Sequence, residues 1–139
     1  MAEEFVKWDE KLNVGIEEID EQHKQLVAFT NELYAGCTSG KEEANEQFKN
    51  TIKKAVKYVK IHFKTEEDLM VKYDYPYYLA HKKEHGDFVK RILQEVKNFE
   101  DKKLFVPNRF VRFLKDWLLR HIALSDQKYK SFFQDKGVR

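Results

Sequence analysis

Apolar residues recur along this chain at steps of three and four, in four runs broken by short polar or turn-forming stretches. Ile19, His23, Leu26, Thr30, Leu33 and Tyr34 mark the first run. Phe48, Ile52, Ala55 or Val56, Val59, His62, Glu66 and Leu69 mark the second. The third is Tyr78, His81, His85, Phe88, Ile92 and Val96; the fourth is Phe110, Leu114, Trp117, His121, Leu124 and Lys128, with Phe132 and Phe133 near its end. Such spacing lines one face of an α-helix. It predicts helices over about 19–37, 42–72, 76–100 and 107–133.

The punctuation agrees with that division. Gly36 closes the first run and Thr38-Ser39-Gly40 reads as a loop. Tyr73-Asp74-Tyr75-Pro76 is a turn signal, and Pro76 suits the first turn of a helix, where a missing N–H is harmless. Asp101-Lys102-Lys103 reads as a turn, and Pro107 opens the last helix. Asp20 is a candidate N-cap for the first. Residues 1–18 hold Phe5, Trp8, Leu12, Val14, Gly15 and Ile16 without a helical period, which predicts an extended N-terminal arm. Four long helices with short connections imply an all-α, up-down-up-down antiparallel four-helix bundle, a single domain over residues 1–139.

Composition narrows the function. Of 139 residues only five are Gly and two Pro, which favours long helices over a sandwich or barrel. The net charge of +2 is the small difference between 26 basic and 24 acidic residues, so nothing global recommends nucleic acid or an anionic membrane. The lysines of the second run, Lys49 to Lys64, share one helix with Glu42, Glu43, Glu46, Glu66 and Glu67 and read as a solvated face. Cys37 is the only cysteine, so no intrachain disulfide forms. No stretch has the length of a membrane span or the pattern of a signal peptide, and a cytoplasmic protein is expected.

The stripes also carry residues that do not belong in an apolar core. All five histidines, His23, His62, His81, His85 and His121, fall on inward positions of four different helices. Burying them without partners would cost on the order of a few kcal/mol each. A domain stable by about 5–15 kcal/mol cannot carry that without a compensating ligand. Glu66 and Asp126 point inward too, and buried carboxylates are paired or metal-bound. The set calls for metal. Seven donors exceed one tetrahedral zinc site. Two six-coordinate ions that share both carboxylates and an oxide or hydroxide bridge use all seven and leave one position open. Imidazole with carboxylate at that geometry suits iron or manganese. His121 and Asp126 stand five residues apart, about 140° around an ideal helix, so a widened, π-like turn or a side-on reach of the carboxylate is predicted between them.

His23, the pairs His62–Glu66 and His81–His85, and His121–Asp126 together resemble the haemerythrin family, most closely its single-domain bacterial members. Trp8, Val14-Gly15-Ile16, Ile19-Asp20-Glu21-Gln22-His23 and Trp117-Leu118-Leu119-Arg120-His121-Ile122 add to the likeness, which covers nearly the whole chain. The resemblance implies a non-haem di-iron site. His81, His85 and His121 would fill one iron; His23 and His62 would hold the other, which keeps the vacancy; Glu66 and Asp126 would bridge both. It further implies reversible binding of dioxygen at the open iron, beside a pocket of Leu26, Phe63, Trp117, Leu118 and Ile122. The expected role is an oxygen carrier, store or delivery protein rather than an enzyme. A sensor module and a di-iron protein acting on peroxide, nitric oxide or iron are the alternatives. The sequence leaves the oligomeric state open, a monomer included.

Overall fold

In a computed structural model, residues 6–38, 42–100 and 107–139 are described. The chain folds as an antiparallel four-helix bundle. Its helices are α1 (Glu17–Thr38), α2 (Glu42–Lys72), α3 (Tyr78–Glu100) and a fourth in three parts: α4 (Pro107–Arg120), a π-helical turn (His121–Asp126) and α5 (Gln127–Asp135). α1 packs on α2 and α4, and α2 packs on α3. Among the described residues no helix is long and apolar enough to cross a membrane. The predicted loop at Ser39-Gly40, the turn at Asp101-Lys102-Lys103 and Phe5 lie outside the described residues, as do the side chains of Cys37 and Phe48.

Residues 6–16, which lead into α1, are pinned rather than free. One 3-10 turn (Glu10–Leu12) interrupts it, and Val6, Val14 and Ile16 are buried. The Asn31 side chain holds both polar groups of the Val6 backbone, accepting at 2.6 Å and donating at 2.9 Å. Gln127 Nε2 donates to Leu12 O at 3.1 Å, which ties this segment to the fourth helix. Asp20 is not an N-cap, because α1 begins three residues earlier. From inside the first turns its carboxylate instead accepts from the amides of Val14 and Gly15, at 2.7 and 3.2 Å. Gly15 sits at φ +86°, where a side chain would be strained.

α2 ends in a Schellman motif: Tyr75 N donates to Met70 O at 2.9 Å and Asp74 N to Val71 O at 3.3 Å, with Asp74 at φ 55°. Tyr78 N then bonds Tyr75 O at 3.2 Å. Pro76 thus occupies a turn rather than the first turn of α3, which starts two residues later than its position suggested.

Two buried apolar clusters fill the bundle. The larger includes Leu26, Val59, Phe63, Phe88, Leu118 and Ile122; the smaller includes Ile19, Met70, Tyr75, Tyr129 and Phe133. Along each helix the histidines and inward carboxylates fall between the two. His23 lies between Ile19 and Leu26, Glu66 between Phe63 and Met70, Asp126 between Ile122 and Tyr129. The polar layer is sandwiched between apolar walls.

The fourth stripe departs from its prediction beyond His121. Leu124 is 60% exposed and Lys128 is exposed, whereas Asp126, Tyr129 and Phe133 are buried. The π turn is the reason. A fifth residue in that turn shifts the inward face by one position, so an unbroken α-helical count of three and four misplaces everything after it.

Candidate metal centre

The seven expected ligands reach the polar layer from all four helices. His23 comes from α1, His62 and Glu66 from α2, His81 and His85 from α3, and His121 and Asp126 from the two ends of the π turn. All seven are at most 5% exposed. The His62–Glu66 and His81–His85 pairs rely on ordinary α-helical stacking of residues four apart. His121 and Asp126 are brought together by the widened turn, with Nε2 3.1 Å from Oδ1.

The carboxylate oxygens divide between two groups of imidazoles. Glu66 Oε1 meets Nε2 of His62 and stands 3.5 Å from that of His23, while Oε2 stands 3.4 Å from His81. Asp126 repeats the pattern: Oδ2 is 3.0 Å from His23, and Oδ1 is 3.0 Å from His81 and 3.1 Å from His121. Two donor sets with ligand atoms mutually within 4.8 Å result: His81, His85 and His121 with both carboxylates, and His23 and His62 with both carboxylates.

Several of these atoms are close without being hydrogen-bonded. His23 Nδ1 and Nε2, His81 Nε2 and all four carboxylate oxygens are buried with no partner of acceptable geometry. Orphaned buried donors and acceptors are costly, and a cation held among these converging atoms would satisfy them.

The outward nitrogens of His62, His85 and His121 each face an acceptor, which favours one tautomer of the neutral ring. His62 Nδ1 lies 2.7 Å from Gln22 Oε1, an orientation fixed because Gln22 Nε2 donates to Thr65 Oγ1 at 3.3 Å. His85 Nδ1 lies 3.1 Å from Glu67 Oε2, and His121 Nδ1 3.0 Å from Glu84 Oε2. Carboxylates only accept, so both Nδ1 atoms carry a proton, and in the neutral rings both Nε2 atoms present lone pairs. Those Nε2 atoms face each other at 3.0 Å. Two lone pairs at that distance repel unless a positive charge lies between them. The donor set fits a metal.

Charge compensation within the layer acts in the same sense. Burial alone would lower the pKa of His23 and His81, but Asp126 and Glu66 outweigh it and raise both to about 9. Burial likewise pushes the Glu66 carboxyl up, and His62, His23 and His81 reverse that to hold it well below the usual carboxylate range. Asp126 is held low by His121 and His23 against burial and the charge of Glu66. For His85 burial prevails over Glu67 and lowers the value.

The walls are aromatic and aliphatic. Phe63 stacks on His85 with centroids 3.7 Å apart, and Trp117 on His121 at 4.4 Å. Leu26, Phe63, Trp117 and Leu118 line a cavity of about 30 Å³ that extends toward Leu33, Ile52 and Phe110. Ile122 is fully buried in the same cluster but does not line that cavity.

Gln22, Glu67 and Glu84 escaped sequence reasoning as site residues. Glu84 sits among lysines, is 49% exposed, and reads as part of a solvated helix face; its partner His121 lies on another helix, and no spacing within α3 announces the pair.

A family profile described as the Hemerythrin HHE cation binding domain matches residues 14–133. The chain is similar to a protein named bacteriohemerythrin from Stenotrophomonas maltophilia (strain R551-3), 34% identical over 122 residues, with 88% of this chain and 77% of that relative covered. It is similar to a hemerythrin-like protein of Naegleria gruberi, 36% identical over 123 residues and covering 88% and 89%. The crystal structure of a wild-type hemerythrin superposes with a TM-score of 0.85 at 28% identity, over 91% of this chain and 96% of the other.

Proposed function

This chain belongs to the haemerythrin family, and from that premise we propose that it is a non-haem di-iron protein that binds dioxygen reversibly. The observation that carries the reading is the division of the Glu66 and Asp126 oxygens between two histidine groups. A carboxylate with one oxygen toward each group is placed to bridge. His81, His85 and His121 would hold one iron, His23 and His62 the other, with Glu66, Asp126 and an oxide or hydroxide shared. When bound, the irons supply the electrons and the open coordination position that dioxygen binding uses.

The chain's own residues favour a carrier over an oxidase. Five neutral imidazoles and two carboxylates are a less anionic set than the glutamate-rich sets of ferritin-like bundles, so high oxidation states gain less stabilisation. Leu26, Phe63, Trp117, Leu118 and Ile122 form an apolar wall beside the layer, with Phe63 against His85 and Trp117 against His121, and such a wall would keep water from it. A space of about 30 Å³ admits a diatomic molecule and no organic substrate.

The test is to load the protein with ferrous iron anaerobically, then cycle it between oxygen and argon. The proposal expects a visible absorption band that appears and disappears over repeated cycles. A band that forms once and does not reverse, or sustained consumption of peroxide or nitric oxide, would replace the carrier by an enzyme.

A further inference from the structure

The two donor groups are backed by unequal hydrogen-bond acceptors. Behind the three-histidine group stand two carboxylates, Glu67 at 3.1 Å from His85 Nδ1 and Glu84 at 3.0 Å from His121 Nδ1. Behind the two-histidine group stands one neutral amide, Gln22 Oε1 at 2.7 Å from His62 Nδ1, while His23 Nδ1 is buried with no partner. An anion on Nδ1–H pushes electron density toward Nε2 and makes the imidazole a stronger donor; an amide fixes the tautomer with little of that push.

We infer that Glu67 and Glu84 are positioning residues that act through His85 and His121, making the three-histidine position the tighter of the two metal positions and the one filled first. The inference rests on the di-iron reading above. It goes beyond that reading in ranking the two positions and in assigning the rank to residues that touch no metal. Glu67 carries more of the effect, because it is 20% exposed where Glu84 is 49% exposed, and water screens a carboxylate in proportion to its exposure.

Anaerobic cobalt(II) titration of the metal-free protein, followed by absorption, reads this without oxygen or turnover. The unsubstituted chain is expected to take up two ions in two phases. Glu67→Gln keeps an acceptor oxygen but loses the charge, and weakens the tight phase by about 10-fold or more while leaving the weak phase in place. Glu67→Ala, which also frees the tautomer, weakens it further. Glu84→Gln produces a smaller shift of the same phase, and, being half exposed, it leaves the fold intact if Glu67→Gln does not. Asp68→Asn removes the same charge one residue further along, from an exposed pair with Lys64, and leaves both phases unchanged. Long-range proton–nitrogen NMR on the zinc-loaded protein shows His85 and His121 protonated at Nδ1.

Two-phase uptake with the tight phase unmoved in Glu67→Gln and Glu84→Gln overturns this inference and leaves the di-iron reading standing. Equal weakening of both phases does the same. An unsubstituted chain that takes up fewer than two ions overturns both.

Discussion

Deleting Leu124 should leave the metal centre assembled, although it removes a residue from between two proposed ligands. At about 100° per residue, His121 and Asp126 stand about 140° apart on a regular helix, and only the π turn aligns them. Without Leu124 they become four residues apart, about 40° on an ordinary α-helix, which is the relation His62–Glu66 and His81–His85 already use. Leu124 itself is 60% exposed, so the core loses nothing. Downstream, Tyr129 and Phe133 keep their register because the bulge is absorbed. The expected stability change is below about 1 kcal/mol, a shift in Tm of a few degrees. Deleting exposed Arg120 instead turns His121 by about 100° away from Trp117 and Leu118 and dismantles the site. Circular dichroism and metal counting per chain decide the matter. Loss of one ion in the Leu124 deletion, or retention of both in the Arg120 deletion, would refute the account of the π turn.

Other perturbations follow from the same geometry. Leu118→Ala should cost about 2–5 kcal/mol and open the cavity wall to water; the oxygenated form should then decay faster, and an unchanged lifetime would sink the pocket assignment. Asp126→Asn should weaken both ions more than about tenfold, unlike Glu67→Gln, since Asp126 touches both groups; selective loss of one ion in a metal titration would contradict bridging. In the metal-free protein His23 and His81, raised to about 9 from 6.5, contribute stability that is complete below 6.5 and lost as pH rises toward 9. Glu66 and Asp126, held low, contribute stability that is lost only as pH falls through the acidic range. The metal-free Tm should therefore fall between pH 6.5 and 9. Metal affinity should rise over that window, because an ion must displace the histidine protons; a metal-free Tm that rises there would be inconsistent with the charges assigned.

Much of the fold was legible because the bundle is patterned locally. His23, His62, Glu66, His81 and His85 could be placed inward by counting threes and fours, since α1, α2 and α3 are regular through them. The spacing of His121 and Asp126 even exposed a fault in that count, and a π turn lies there. The same turn defeated the reading of Leu124 and Lys128, because a stripe extrapolated through an irregular turn comes out on the wrong face. Asp20 was misread for a related reason: a cap and a residue four positions into a helix can both bond to the preceding backbone, and only three-dimensional position separates them. Gln22, Glu67 and Glu84 were invisible as site residues because what they do depends on a histidine carried by another helix. Contacts between helices leave no period in the chain.

The central claim is that seven buried side chains hold two ions. Native mass spectrometry after anaerobic loading with ferrous iron tests it most directly. The account predicts a dominant species of one chain with two irons, and the loss of both in a protein with Glu66 and Asp126 replaced by alanine. A chain that binds a single iron, or that takes up one zinc in preference and excludes a second ion, would contradict it.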